Sequence, residues 1–108
     1  MNIYERETIE FKGIYTPDLK KEIVAFANTN GGTIYIGVQD NGEIEGLEDV
    51  DLVMQQVSNA IRDGIRPDVS MFTNIEMVKK EDKNIIKVTV DQGTRKPYYI
   101  SDKGLKPS

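Results

Sequence analysis

The sequence predicts an α+β fold, an α/β sandwich in which two helices pack on a mixed sheet. Three observations predict it. Apolar residues recur at spacings of three and four in two separate stretches, the period of a helix face turned to a core. Short runs rich in β-branched residues lie between and after them. Each run is closed by Gly, Asn-Gly or Pro, the residues that stop helices and turn strands. The expected order is β-α-β-β-α-β-β-β.

Ile9 and Phe11 alternate with Glu10 and Lys12, so residues 8–12 read as a strand with one buried face. Thr16-Pro17-Asp18 then reads as a helix start. Thr16 can cap, Pro17 suits the first helical position, and Asp18 favours the positive pole of the helix. Leu19, Ile23, Phe26 and Ala27 give that helix its apolar stripe, and it is expected to end near Asn28. Gly31 and Gly32 are the stop. One of them is expected at positive φ, where glycine meets no steric penalty. Residues 33–38 read as a strand, Asn41-Gly42 as a tight hairpin turn, and Ile44 as the start of a short return strand closed by Gly46.

The second helix is read from Val50, Val53, Met54, Val57 and Ile61, with Asp49 as cap, Gly64 as stop and Pro67 beyond. Residues 70–78 and 84–90 read as two strands of an antiparallel hairpin across a charged turn at 79–83. Residues 91–97 form a polar loop carrying Arg95 and Lys96, and residues 98–100 a last short strand.

A chain of 108 residues is long enough for one domain with a modest core. Charged residues make up 30% and hydrophobic ones 38%, the balance of a folded soluble domain. There is no Cys and no His. Disulfides, thiolate metal sites and imidazole catalysis are therefore excluded. Catalysis, if present, rests on carboxylates, Lys, Ser, Thr or Tyr. No apolar run reaches the roughly 20 residues of a membrane span, and no signal-peptide segment opens the chain, so no membrane partner and a cytoplasmic location are expected. Net charge is −4. Residues 1–54 hold 4 Lys/Arg against 11 Asp/Glu, whereas residues 55–108 hold 10 against 7. The first half of the chain is thus acidic and the second basic, either as surface variation or as an acidic cluster facing a basic rim.

Residues 26–46, FANTNGGTIYIGVQDNGEIEG, stand with ETIEFK upstream and GTRKPYYI downstream. In these three blocks the sequence resembles the Schlafen AlbA-like domain family over nearly its whole length. The resemblance implies an AlbA-like fold. It also implies a DNA-binding domain of the kind found at the N-terminus of bacterial transcriptional regulators and helicase-related proteins. Members of that family continue past the point where this sequence ends. A domain truncated at its final strand, with further domains beyond it, is therefore expected.

Three functional readings follow. The first is nucleic-acid binding, with DNA favoured over RNA, through Lys12, Arg95 and Lys96 as phosphate contacts and Tyr98 as a stacking ring. The second is implied by the nuclease members of the family, which use two glutamates and an aspartate. Glu5, Glu10 and Asp40 match their spacing and would hold Mg²⁺ or Mn²⁺ through oxygen ligands. The third is a protein-interaction module or homodimer, since an unpaired sheet edge invites pairing. Neither the P-loop pattern nor the dinucleotide-binding glycine pattern is present, so Gly31-Gly32 is read as a structural turn, as are Asn41 and Gly42.

Overall fold

In a computed structural model, residues 8–101 are described. The order is β1 (Ile9–Lys12), α1 (Leu19–Asn28), β2 (Gly32–Ile36), α2 (Val50–Gly64), β3 (Ile65–Arg66), β4 (Thr73–Lys80), β5 (Lys83–Val90) and β6 (Tyr99–Ile100). Four strands make one mixed sheet in the order β1-β2-β5-β4, and β3 pairs with β6 in a separate two-stranded ribbon. The α+β class is as expected.

β1 and β2 run parallel, with Phe11 opposite Tyr35 and Lys12 opposite Ile36. Parallel neighbours need a crossover, and α1 supplies it. The remaining pairs of the main sheet are antiparallel. Period-two alternation then sorts the side chains by face. Ile34, Ile36, Ile86, Val88 and Val90 point toward the helices and are essentially inaccessible to solvent. They close one core with Leu19, Ile23, Phe26 and Ala27 of α1 and Val57 and Ile61 of α2. Each such aliphatic side chain contributes about 1.5–3 kcal/mol by leaving water. Phe11, Tyr35 and Lys87 lie in register on the opposite face, and the Phe11 and Tyr35 rings are 6.0 Å apart. Among the described residues no helix is long and apolar enough to cross a membrane.

Both helix stripes form as the sequence predicts, but the first helix starts differently. The amides of Leu19, Lys20 and Lys21 donate to the carbonyls of Thr16, Pro17 and Asp18. This tight backbone turn satisfies the early amides, and among the described residues no side chain caps the helix. The cap of α2 does form, with Asp49 Oδ1 accepting from the Leu52 amide at 3.1 Å. At the end of α1 the Gly31 amide donates to the Phe26 carbonyl, and Gly31 takes φ +87°. It is the residue that turns the chain into β2. The β-carbon that Gly32 lacks would lie 2.5 Å from the Phe26 ring, so this second glycine lets helix and strand pack closely.

Four elements depart from expectation. β1 has no buried face: all four of its residues are half-buried, and register sets Glu10 and Lys12, not Ile9 and Phe11, beside the core-facing Ile34 and Ile36. The return strand at Ile44 shrinks to one isolated bridge with Val38. Gly37 and Gly46, both at positive φ, bend the two arms, and the amides of Glu45 and Gly46 converge on the single carbonyl of Gly37. Asn41-Gly42 still makes the tight turn, with the Gly42 amide donating to Gln39 and the Glu43 amide to Asn41 Oδ1. Residues 70–72 form one 3₁₀ turn before β4 instead of its first residues, because Asp68 Oδ1 accepts from both the Ser70 amide and hydroxyl. The two-residue strand β3 was not expected, since two residues carry no periodicity. The observed order is accordingly β-α-β-α-β-β-β-β.

Candidate nucleic-acid interface

The loop between β5 and β6 is built around one buried ring. Tyr98 is only 3% exposed. Its hydroxyl accepts from the Arg95 amide at 2.9 Å, and the loop closes over it at Gly93. A β-carbon at Gly93 would lie 2.3 Å from the Tyr98 ring, so glycine is required for this approach. The loop is also tied to the end of α1. The Gly93 amide donates to the Ala27 carbonyl at 2.9 Å. Asn28 grips the backbone of Tyr98 twice, accepting from its amide at 2.7 Å and donating to its carbonyl at 3.0 Å.

Removing one partner of a part-buried hydrogen bond strands the other, at about 1–3 kcal/mol. Asn28→Ala is therefore expected to lower stability by about 2 kcal/mol. Thermal unfolding followed by circular dichroism checks it. A midpoint equal to that of the unaltered chain would show that the grip holds nothing.

On this anchored loop Arg95 and Lys96 are both exposed. Among the described residues neither meets a carboxylate within ion-pair distance. The outward ring of the tyrosine pair is Tyr99, at 57% exposure, and not Tyr98. The expected stacking role of Tyr98 is corrected on this point: its ring is enclosed by Gly93, and its hydroxyl holds the loop. In the β3–β6 ribbon Tyr99 stands directly opposite Arg66. Directly opposed residues share a face about 4.5–5.5 Å apart at their β-carbons. The Arg66 guanidinium donates to the carbonyls of Arg62 and Ile65, at the end of α2, where cations complement the helix dipole. Loop and ribbon thus place three cations and one aromatic ring on neighbouring segments.

The other sequence-predicted residues lie elsewhere. Lys12 sits between two carboxylates, 3.7 Å from Glu10 and 3.5 Å from Glu22, and its charge is largely answered there. One oxygen of Glu22 is buried with no hydrogen-bond partner among the described residues. Glu5 lies outside the described residues. Glu10 is half-buried on β1 with its carboxylate turned to Lys12, and Asp40 is exposed in the turn after β2. Among the described residues no group of three or more acidic side chains is placed to hold a metal ion. Asn28 anchors the loop of the interface and was not read from the sequence. Asn28 acts across 70 residues of chain, with no local signal. Tyr99 was open to a parity argument, but a two-residue strand leaves parity undecided.

The sequence model of a family described as Schlafen, AlbA_2 matches residues 5–106. Among solved structures, the chain is similar to the N-terminal domain of a RecG-related protein from Nitrosomonas europaea, named as a candidate ATP-dependent DNA helicase. There the TM-score is 0.69 at 18% identity, covering 91% of this chain and 73% of that one. It is also similar to part of a protein from Corynebacterium diphtheriae, with a TM-score of 0.57 at 20% identity. That match covers 81% of this chain and 20% of the other, so the chain spans about a fifth of that protein. At these identities the likeness is one of fold. No curated protein matches the chain.

Proposed function

The chain belongs to the Schlafen, AlbA_2 family, and on that premise we propose that it is a nucleic-acid-binding domain, with DNA as its ligand, serving a transcriptional regulator. One observation carries the reading. Arg95 and Lys96 are exposed cations with no acidic partner among the described residues, on a loop held in place by Gly93, Asn28 and Tyr98. A net charge of −4 disfavours a polyanion over most of the surface, so binding is confined to this local basic face. Phosphate contacts there fix position without reading sequence. Tyr99, outward on the adjoining strand, supplies a ring on which an unpaired base can stack. The DNA helicase name carried by the RecG-related protein of similar fold favours DNA as the first ligand to test.

The test is fluorescence anisotropy of labelled single-stranded and duplex DNA with the 108-residue chain at low salt. Binding that weakens steeply with added salt is expected. Tyr99→Ala is expected to weaken single-strand binding roughly tenfold or more, since one stacked base contributes about 1–3 kcal/mol. Duplex binding should change less. Absence of binding to any oligonucleotide at low salt would reject the reading.

A further inference from the structure

The main sheet ends on β4, which has β5 on one side and no strand on the other among the described residues. Its outward backbone groups follow from the ladder. Glu81 and Asp82 both have positive φ, 52° and 65°, and form a two-residue turn between Lys80 and Lys83. In such a hairpin the residues flanking the turn exchange hydrogen bonds, and bonded pairs then alternate. Even-numbered residues of β4 therefore point their amides and carbonyls at β5. Two further bonds agree. The Asp91 amide donates to Phe72, and Asn84, on the opposite alternation, gives its carbonyl to Leu47 on the far side of β5. The outer edge is presented by Ile75, Met77 and Lys79.

The side chains along this edge carry a charge pattern. Register with β5 puts Glu76, Val78 and Lys80 on the face away from the helices. Ile75, Met77 and Lys79 share the helix face. α2 lies along only the first part of β4, where Met54 and Ser58 line a groove with Thr73 and Ile75. Beyond it the edge is open, and Met77 is 52% exposed.

We propose that this open half of β4 pairs antiparallel with β4 of a second copy, about a two-fold axis through Val78. Such an axis stands perpendicular to the sheet, so even-numbered residues face even-numbered ones. Centring on Val78 puts Glu76 opposite the second copy's Lys80, and Lys80 opposite its Glu76. Both unlike pairs form at once, and Met77 and Lys79 exchange backbone hydrogen bonds across the edge. Centring on Glu76 would set that carboxylate against its own copy. Centring on Met77 would leave it opposite Val78. Lysines on an edge normally discourage pairing. Here one register turns Lys80 from a guard into a partner. This contact is independent of the nucleic-acid face.

Sedimentation equilibrium of the 108-residue chain at low salt tests the contact. A concentration-dependent dimer is expected. Glu76→Lys sets like charges opposite each other at both symmetric positions and should raise the dissociation constant at least about tenfold. The double exchange Glu76→Lys with Lys80→Glu restores both pairs in reverse and should recover the dimer. Met77→Pro removes an outward amide that β5 does not use, and should leave monomer with an unchanged circular dichroism spectrum. If proline unfolds the chain, the charge exchange still decides. A chain that stays monomeric at every concentration, or a double exchange that fails to restore a dimer broken by Glu76→Lys, overturns the proposal.

Discussion

Gly31→Val is expected to cost about 3 kcal/mol or more and to lower the melting temperature by more than about 10 °C. Two independent penalties meet at this position. The backbone stands at φ +87°, where a β-branched residue is a conformational outlier. A β-carbon there would also lie 2.6 Å from the carbonyl oxygen of Val90 and 3.3 Å from the Gln92 amide. These are backbone atoms at the end of β5, so no side chain can rotate aside. Relaxation would have to move α1 away from the sheet, against a core closed by Ile23, Phe26 and Val90. Gly32→Val is the control. Its φ is not in the left-handed region, and its obstacle is the Phe26 ring, a side chain that can shift. Overpacking of that kind costs about 1–3 kcal/mol. Urea and thermal denaturation of both variants check the ranking. Equal stability of Gly31→Val and the unaltered chain would mean that helix and strand are not joined through this conformation.

The elements legible in the sequence are those whose cause is local. The stripe from Leu19 to Ala27 and the one from Val50 to Ile61 needed only spacing: the first is buried, and in the second Val57 and Ile61 are buried while Val50, Val53 and Met54 pack half-buried against the core. Gly31 was legible because a helix running straight into a strand leaves few conformations for the joint. Asp49 was legible as a cap because its acceptor serves an amide three residues on. Thr16 failed as a cap for a competing local reason, since backbone carbonyls reached the same amides first. Ile44 failed as a strand because pairing depends on whether both arms stay straight, and glycines at positions 37 and 46 bend them.

The candidate site was legible only in its outermost layer. Arg95 and Lys96 could be picked out as cations in a polar loop, and they are exposed. What makes that loop a platform was not legible. It depends on Asn28 reaching Tyr98, on Gly93 admitting the Tyr98 ring, and on the β3–β6 ribbon setting Arg66 opposite Tyr99. The first and the last of these join segments far apart in sequence, and the Gly93 approach depends on which way the Tyr98 ring turns. Lys12 shows the converse. It reads as an available cation in sequence, and the fold gives it Glu22 from α1 as well as its strand neighbour Glu10.

The double change Arg95→Ala and Lys96→Ala is expected to weaken DNA binding about 100-fold at low salt, taking about 1.5 kcal/mol for each charge-assisted phosphate contact. The loss should be nearly uniform across sequences, because phosphate contacts carry no base information. The salt dependence should also flatten. Each phosphate contact contributes about 0.9 to the logarithmic slope on duplex DNA and about 0.7 on single strands, so two lost contacts remove close to 2 units on duplex. Folding stability should stay within about 0.5 kcal/mol, since both side chains are exposed and make no ion pair among the described residues. The Arg95 amide keeps its bond to the Tyr98 hydroxyl in the alanine form, so the loop retains its shape. This separates the variant from Asn28→Ala, which should lose stability and binding together by releasing the loop. An affinity and salt slope that survive the double change, in a protein that does bind DNA, would move the interface away from this loop.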